Sequence, residues 1–121
     1  MTESTLDPAI FRELQDAAGE DFVKELVDTF LEDAPQMLSD LHSALAAADA
    51  DKFRRAAHSL KSNSLTFGAL GLGDLARELE HQGLQLAQSA NPQGLKPLDV
   101  LAQEYARVAA ALTELREPPH G

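Results

Sequence analysis

Apolar residues recur at steps of three and four along almost the whole chain, a spacing that collects them on one face of an α-helix and on neither face of a strand. The first long run is Phe22, Val23, Leu26, Phe30, Met37, Leu38, Leu41 and Leu45. A second run holds Phe53, Ala56, Ala57, Leu60, Ser64 and Phe67, and a third Leu72, Leu75, Leu79 and Leu86. The last is Leu98, Leu101, Tyr105, Val108, Leu112 and Leu115. Each stripe must find apolar cover, and connections too short to cross a bundle join antiparallel neighbours. The predicted fold is therefore all-α: an antiparallel up-down-up-down four-helix bundle. Asp7 followed by Pro8 marks the start of a short additional N-terminal helix carrying Ile10, Phe11 and Leu14 and ending near Gly19.

A chain of 121 residues is the size of one domain. With aromatic residues at 5% and no Trp, a β-sandwich would lack its usual packing material. We place the bundle at residues 7–116, with a loose N-terminus over 1–6 and a loose tail over 117–121. Pro35 removes a helical hydrogen bond, so a kink or short break is expected near Asp33 and Ala34. Gly71 and Gly73 mark a tight connection, and residues 89–94, rich in small and turn-forming side chains, a longer loop.

Charge and composition exclude several classes of function. Ten Lys and Arg stand against twenty Asp and Glu, and a net charge of -10 repels phosphate backbones and anionic lipid. Nucleic acid and membrane surfaces are not expected partners. Without cysteine there is no disulfide, thiolate metal site or cysteine nucleophile. No basic stretch followed by an apolar run opens the chain, and no segment nears the roughly 20 apolar residues of a membrane span, so a cytoplasmic location is expected.

One segment reverses the prevailing charge. Phe53-Arg54-Arg55-Ala56-Ala57-His58-Ser59-Leu60-Lys61-Ser62-Asn63-Ser64 gathers basic and small hydroxyl residues around a histidine. On a helix Lys61 lies one turn from His58, and Ser62 four residues away, so the three can share a face. An imidazole, with an ordinary pKa near 6.5, keeps one nitrogen lone pair free at neutral pH for in-line attack on an acyl phosphate. The phosphoryl group acquired carries close to two negative charges, which an adjacent ammonium and hydroxyl donors stabilise. Lys61 is expected beside it, with Asn63 or Ser64 assisting. Small residues at Ala57, Ser62 and Gly68 keep the surface low enough for a partner's cleft to reach the ring. The plain alternative is an ordinary solvated face with a chance His–Lys pair and a glycine at a helix-packing position.

His58-Ser59-Leu60-Lys61-Ser62-Asn63-Ser64, then Phe67-Gly68-Ala69, then Leu72, Leu75, Leu79 and Glu80 resembles the signature of histidine phosphotransfer (HPt) domains. Phe30-Leu31-Glu32-Asp33-Ala34-Pro35 and the Ala-Asp stretch before Phe53 are similar to the family as well, so the resemblance covers roughly residues 7 to 115. It implies a phospho-acceptor at His58, exposed midway along the second bundle helix, with Lys61 as charge partner and Gly68 as the small packing position beneath the site. Many members have Gly after the lysine where this chain has Ser62. The resemblance also implies a Gln or Glu from the following helix near the imidazole, at Glu80 or at Gln82. Implied partners are receiver domains of a hybrid sensor kinase and a response regulator. The chain itself is expected to be a monomer with no cofactor, Mg²⁺ belonging to the receiver.

Competing readings are distinguishable. A histidine kinase dimerisation domain is a two-helix hairpin tied to an ATP-binding domain, and this chain has more helices and no Gly-rich nucleotide loop. Glu78 and His81 form a single Glu-x-x-His, whereas a di-iron bundle needs two with further inward glutamates. His42 reads as a surface residue, His81 as a helix-end residue and His120 as part of the tail. A bundle that binds receiver domains without transferring is the remaining alternative, and retention of both His58 and Lys61 speaks against it. Lys61→Ala is expected to slow transfer without unfolding the bundle, because an exposed charge contributes little to stability.

Overall fold

The computed structural model describes residues 5–87 and 96–116. Five helices follow in order: α1 (Pro8–Ala18), α2 (Glu20–Ala47), α3 (Ala50–Thr66), α4 (Leu70–Ala87) and α5 (Pro97–Arg116). The last four close a bundle in which α2 meets α3 and α5, and α4 meets α3 and α5, while α1 lies across α2 and α3. This is the expected bundle with its extra N-terminal helix. The loop at 89–94 and the tail at 117–121 lie outside the described residues.

The ends of the helices are written into local chemistry. Asp7 accepts a hydrogen bond from the Ala9 N–H at 2.9 Å with Pro8 opening α1, and Asp49 accepts from Lys52 N–H at 3.0 Å to open α3. Two connections are Schellman turns. At the first, Asp49 N–H donates to Ala44 O and Ala48 N–H to Leu45 O, with Ala48 left-handed at φ 55°. At the second, Ala69 N–H donates to Ser64 O and Gly68 N–H to Leu65 O, with Gly68 at φ 80°. Between α1 and α2 a single residue, Gly19 at φ 93°, ends one helix and begins the next.

The inward faces carry Phe30, Phe53, Leu60, Leu72, Leu79, Leu101, Val108 and Leu112, all essentially without water contact. Phe30 sits among aromatic rings, 5.5 Å from Phe67 and 5.9 Å, edge-on, from Tyr105. Burial pushes the Tyr105 hydroxyl above its ordinary pKa.

Several expectations need correction. Of the kink or short break expected near Pro35, the break does not occur: α2 runs on through Asp33 and Ala34, its packing outweighing one missing hydrogen bond. Gly71 and Gly73 lie inside α4, and the turn before it is Phe67 to Ala69. Leu6, assigned to a loose terminus, is in the core. Phe22 and Leu115, counted among the buried stripes, are exposed, while Val27, Ala34 and Ala44 are buried. A true interruption occurs where none was expected: Gly83 within α4 adopts φ 66°, ψ −150°, a conformation essentially restricted to glycine.

The two Schellman turns predict opposite responses. A Cβ on Gly68 would lie 3.0 Å from the Asp7 carbonyl oxygen, in addition to the positive φ, so Gly68→Ala should lower unfolding free energy by about 1–3 kcal/mol. Ala48→Gly relieves a left-handed alanine and should raise stability by up to about 1 kcal/mol. Urea unfolding of the two variants checks both signs.

Candidate functional site

His58 lies midway along α3, on a helix whose inner face is Phe53, Ala57, Leu60 and Ser64. Residues on that face turn to the core, so the intervening positions face outwards, and the His58 side chain is 55% exposed. From α4 the Glu80 carboxylate reaches across: its Oε2 is 2.7 Å from His58 Nδ1, and its Oε1 is 2.8 Å from Lys61 Nζ. Glu80 is 16% exposed and Lys61 21%, so the carboxylate is held between two helices with the imidazole standing out in water. Oε1 itself has essentially no contact with water. Its near neighbour is the Lys61 ammonium, at 2.8 Å.

This geometry determines protonation. The Lys61 ammonium, and to a smaller extent the imidazole, holds the Glu80 carboxyl below its ordinary pKa of 4.5 against the opposing effect of burial. An ionised carboxylate only accepts, so the imidazole nitrogen facing it must carry the hydrogen. The Nδ1–H tautomer leaves the Nε2 lone pair free.

The remaining residues singled out from the sequence fall in different places. Glu80, rather than the exposed Gln82, meets the imidazole. Lys61 pairs with Glu80 on α4, the same carboxylate that meets the imidazole. Ser62 is exposed four residues from His58, its carbonyl accepting from the Thr66 hydroxyl. Asn63 donates its side-chain amide to Ser59 O at 2.8 Å. Ser64 is wholly buried and donates to Leu60 O at 2.6 Å, so its hydroxyl cannot assist at the surface. Ala57 is also buried. Gly68 lies not beneath His58 but ten residues on, roughly 15 Å along the helix axis, where it seats α1 through Asp7 N–H donating to Gly68 O at 2.9 Å.

Sequence reasoning missed Gly73. A Cβ there would lie 2.6 Å from Leu65 Cδ2, so its absence gives the tip of that exposed leucine room over α4. The available signal was position: Leu72, Gly73 and Ala76 lie on the inward stripe of α4, and Glu80 falls on the same stripe. An acid at the end of a buried stripe has a partner across the helix interface. His42 and His81 are exposed, and His120 lies outside the described residues. Among the described residues no three His, Asp or Glu side chains are grouped to hold a metal ion, and no helix is long and apolar enough to cross a membrane.

Among the described residues, His58 is the histidine whose ring is oriented by a carboxylate from a neighbouring helix, and it stands half-exposed on the outer flank of a helical bundle. The Hpt domain profile matches residues 25–117, and the chain belongs to that family, the histidine phosphotransfer domains of phosphorelays. Its fold is similar to that in the crystal structure of histidine-containing phosphotransfer protein B from Pseudomonas aeruginosa PAO1, with a TM-score of 0.82 and 30% sequence identity over 98% of this chain and 100% of that one. No curated protein matches the chain.

Because Glu80 is depressed when folded, it adds stability above the ordinary 4.5 and that contribution is lost as pH falls through the lower, folded value. An NMR titration of the Glu80 carboxyl should find its midpoint below 4.5, and Lys61→Met should move it upwards. Lys61→Ala is also less benign than an exposed charge would be. It strips the counterion from a water-inaccessible oxygen and should cost about 1–2 kcal/mol in urea unfolding.

Proposed function

We propose that His58 accepts a phosphoryl group from the phospho-aspartate of a receiver domain and passes it to the aspartate of a response regulator. The observation that carries this reading is the 2.7 Å contact between His58 Nδ1 and Glu80, which leaves the solvent-facing Nε2 as the nucleophile. Nε2 attacks phosphorus in line, the new N–P bond forms as the acyl O–P bond breaks, and the receiver's aspartate leaves as a carboxylate. Nδ1 keeps its hydrogen throughout. The ring therefore becomes cationic as the bond forms, and Glu80 offsets that charge where it develops.

Lys61 acts in this scheme first through Glu80, keeping the carboxylate ionised and in place, and second as a cation one turn from the incoming phosphate. Transfer needs no general acid or base, since a carboxylate is a sufficient leaving group. Catalysis is positioning plus charge, as in other phosphoryl transfers. Mg²⁺ would be supplied by the receiver's acidic pocket. The chain is on this reading a monomeric cytoplasmic relay intermediate, and ATP alone should leave it unlabelled.

Incubation with a ³²P-phosphorylated receiver domain should give acid-labile label on the chain. His58→Gln should abolish it, and label that survives this substitution overturns the assignment. Glu80→Ala should slow transfer roughly tenfold or more while folding is retained, with ¹⁵N chemical shifts of the His58 ring moving from a single Nδ1–H form to a tautomer mixture.

A further inference from the structure

The flank of α3 around His58 is not uniform. Leu65 lies seven residues, two helical turns, beyond His58 and so almost directly in line with it, roughly 10 Å away. It is a large apolar side chain left 41% exposed. Leu70, at the start of α4, is exposed to a similar degree. The Cδ2 of Leu65 lies over Gly73, where an added Cβ would come within 2.6 Å of it.

On the side of α3 towards α2, from Lys52 to Ser59, a shallow groove of about 390 Å³ is lined by Met37, Asp40, Lys52, Arg55, Ala56 and Ser59. Its one carboxylate, Asp40, already accepts from the Gln36 amide at 2.9 Å. Arg55 spends only Nε, on the Asp51 carbonyl, and neither Arg55 nor Lys52 makes an ion pair among the described residues. In a chain of net charge -10, both cations are open to a partner's carboxylate, and Arg55 lies one turn before the acceptor. Arg54, by contrast, is paired with Asp51.

We infer that this face is a polar-to-apolar docking surface that sets the orientation of the receiver domain: the partner presents a carboxylate to the Lys52–Arg55 groove and an apolar patch to Leu65, with His58 between them. Two unlike contacts on either side of the nucleophile permit one orientation and penalise its reverse, which would desolvate a carboxylate against leucine. The inference rests on the relay reading above, and the test separates the two.

Purified receiver domains, phosphorylated with acetyl phosphate, are screened for transfer, and the fastest is used against wild type, Arg55→Glu, Leu65→Asp and Gly73→Ala. Each chain is also phosphorylated by phosphoramidate, a small donor that needs no docking surface. Failure of phosphoramidate or of every receiver to label wild-type His58 overturns the relay reading, and the docking surface falls with it. If the relay reading holds, all variants should take label from phosphoramidate at the wild-type rate, while Arg55→Glu and Leu65→Asp each slow transfer from the receiver by about tenfold or more. The Arg55→Glu defect should shrink in 1 M salt, where charges are screened within ~3 Å, and the Leu65→Asp defect should not. Gly73→Ala, whose new methyl group displaces the Leu65 tip while favouring the helix, should give a milder transfer defect in a folded protein. Receiver transfer unchanged in both Arg55→Glu and Leu65→Asp overturns the docking surface, as does a slowing that phosphoramidate shares.

Discussion

A carboxylate on one helix can hold an imidazole on another at 2.7 Å only if the two backbones run close together for several turns before they reach it. Here that closeness rests on a wholly buried Ala76 one turn before Glu80. Leu60, Leu72 and Leu79 then fill the space on the core side. The site is thus a by-product of helix packing in its placement, although not in its chemistry. Glu80 is near enough to the core to lose most of its water, and Lys61 is there to keep that tolerable.

Much of this was readable before any coordinates. The three-and-four spacing of apolar residues is a consequence of helix geometry and needs no tertiary information, so helix number, order and the inward face of α3 follow from it. Ser64 belonged to the apolar series Phe53, Ala57, Leu60, and that membership correctly foretold its burial, whereas its chemistry as a hydroxyl pointed wrongly to the surface. His58 stood out because basic and hydroxyl residues cluster around it. What could not be read was any relation between helices. Lys61 is one turn from His58 on α3, and nothing within α3 indicates that its ammonium turns to a carboxylate nineteen positions later, a separation that is 80 minus 61. Gly68 misled for the same reason: its role is to seat α1, which depends on where α1 returns in space.

Pro35 teaches a related point about magnitudes. One lost hydrogen bond and a local clash are worth a few kcal/mol, enough to break an isolated helix. With Phe30, Ala34 and Leu41 all buried around it, α2 retains far more apolar contact than that penalty removes, and it stays continuous. The glycine at position 83 tells the reverse story. It has open space around it, so nothing in the packing demands a small residue, and only the backbone conformation does.

A straight helix is a stiff rod, and a push at one end is felt at the other. Because the helical path of α4 is interrupted three residues after Glu80, the rod that carries the carboxylate stops there. Movement or sequence drift beyond that joint is absorbed by one residue's torsions and does not reach the acid–imidazole contact. The aim of the ring is thus settled within the first three turns of α4, before the backbone turns at Gly83.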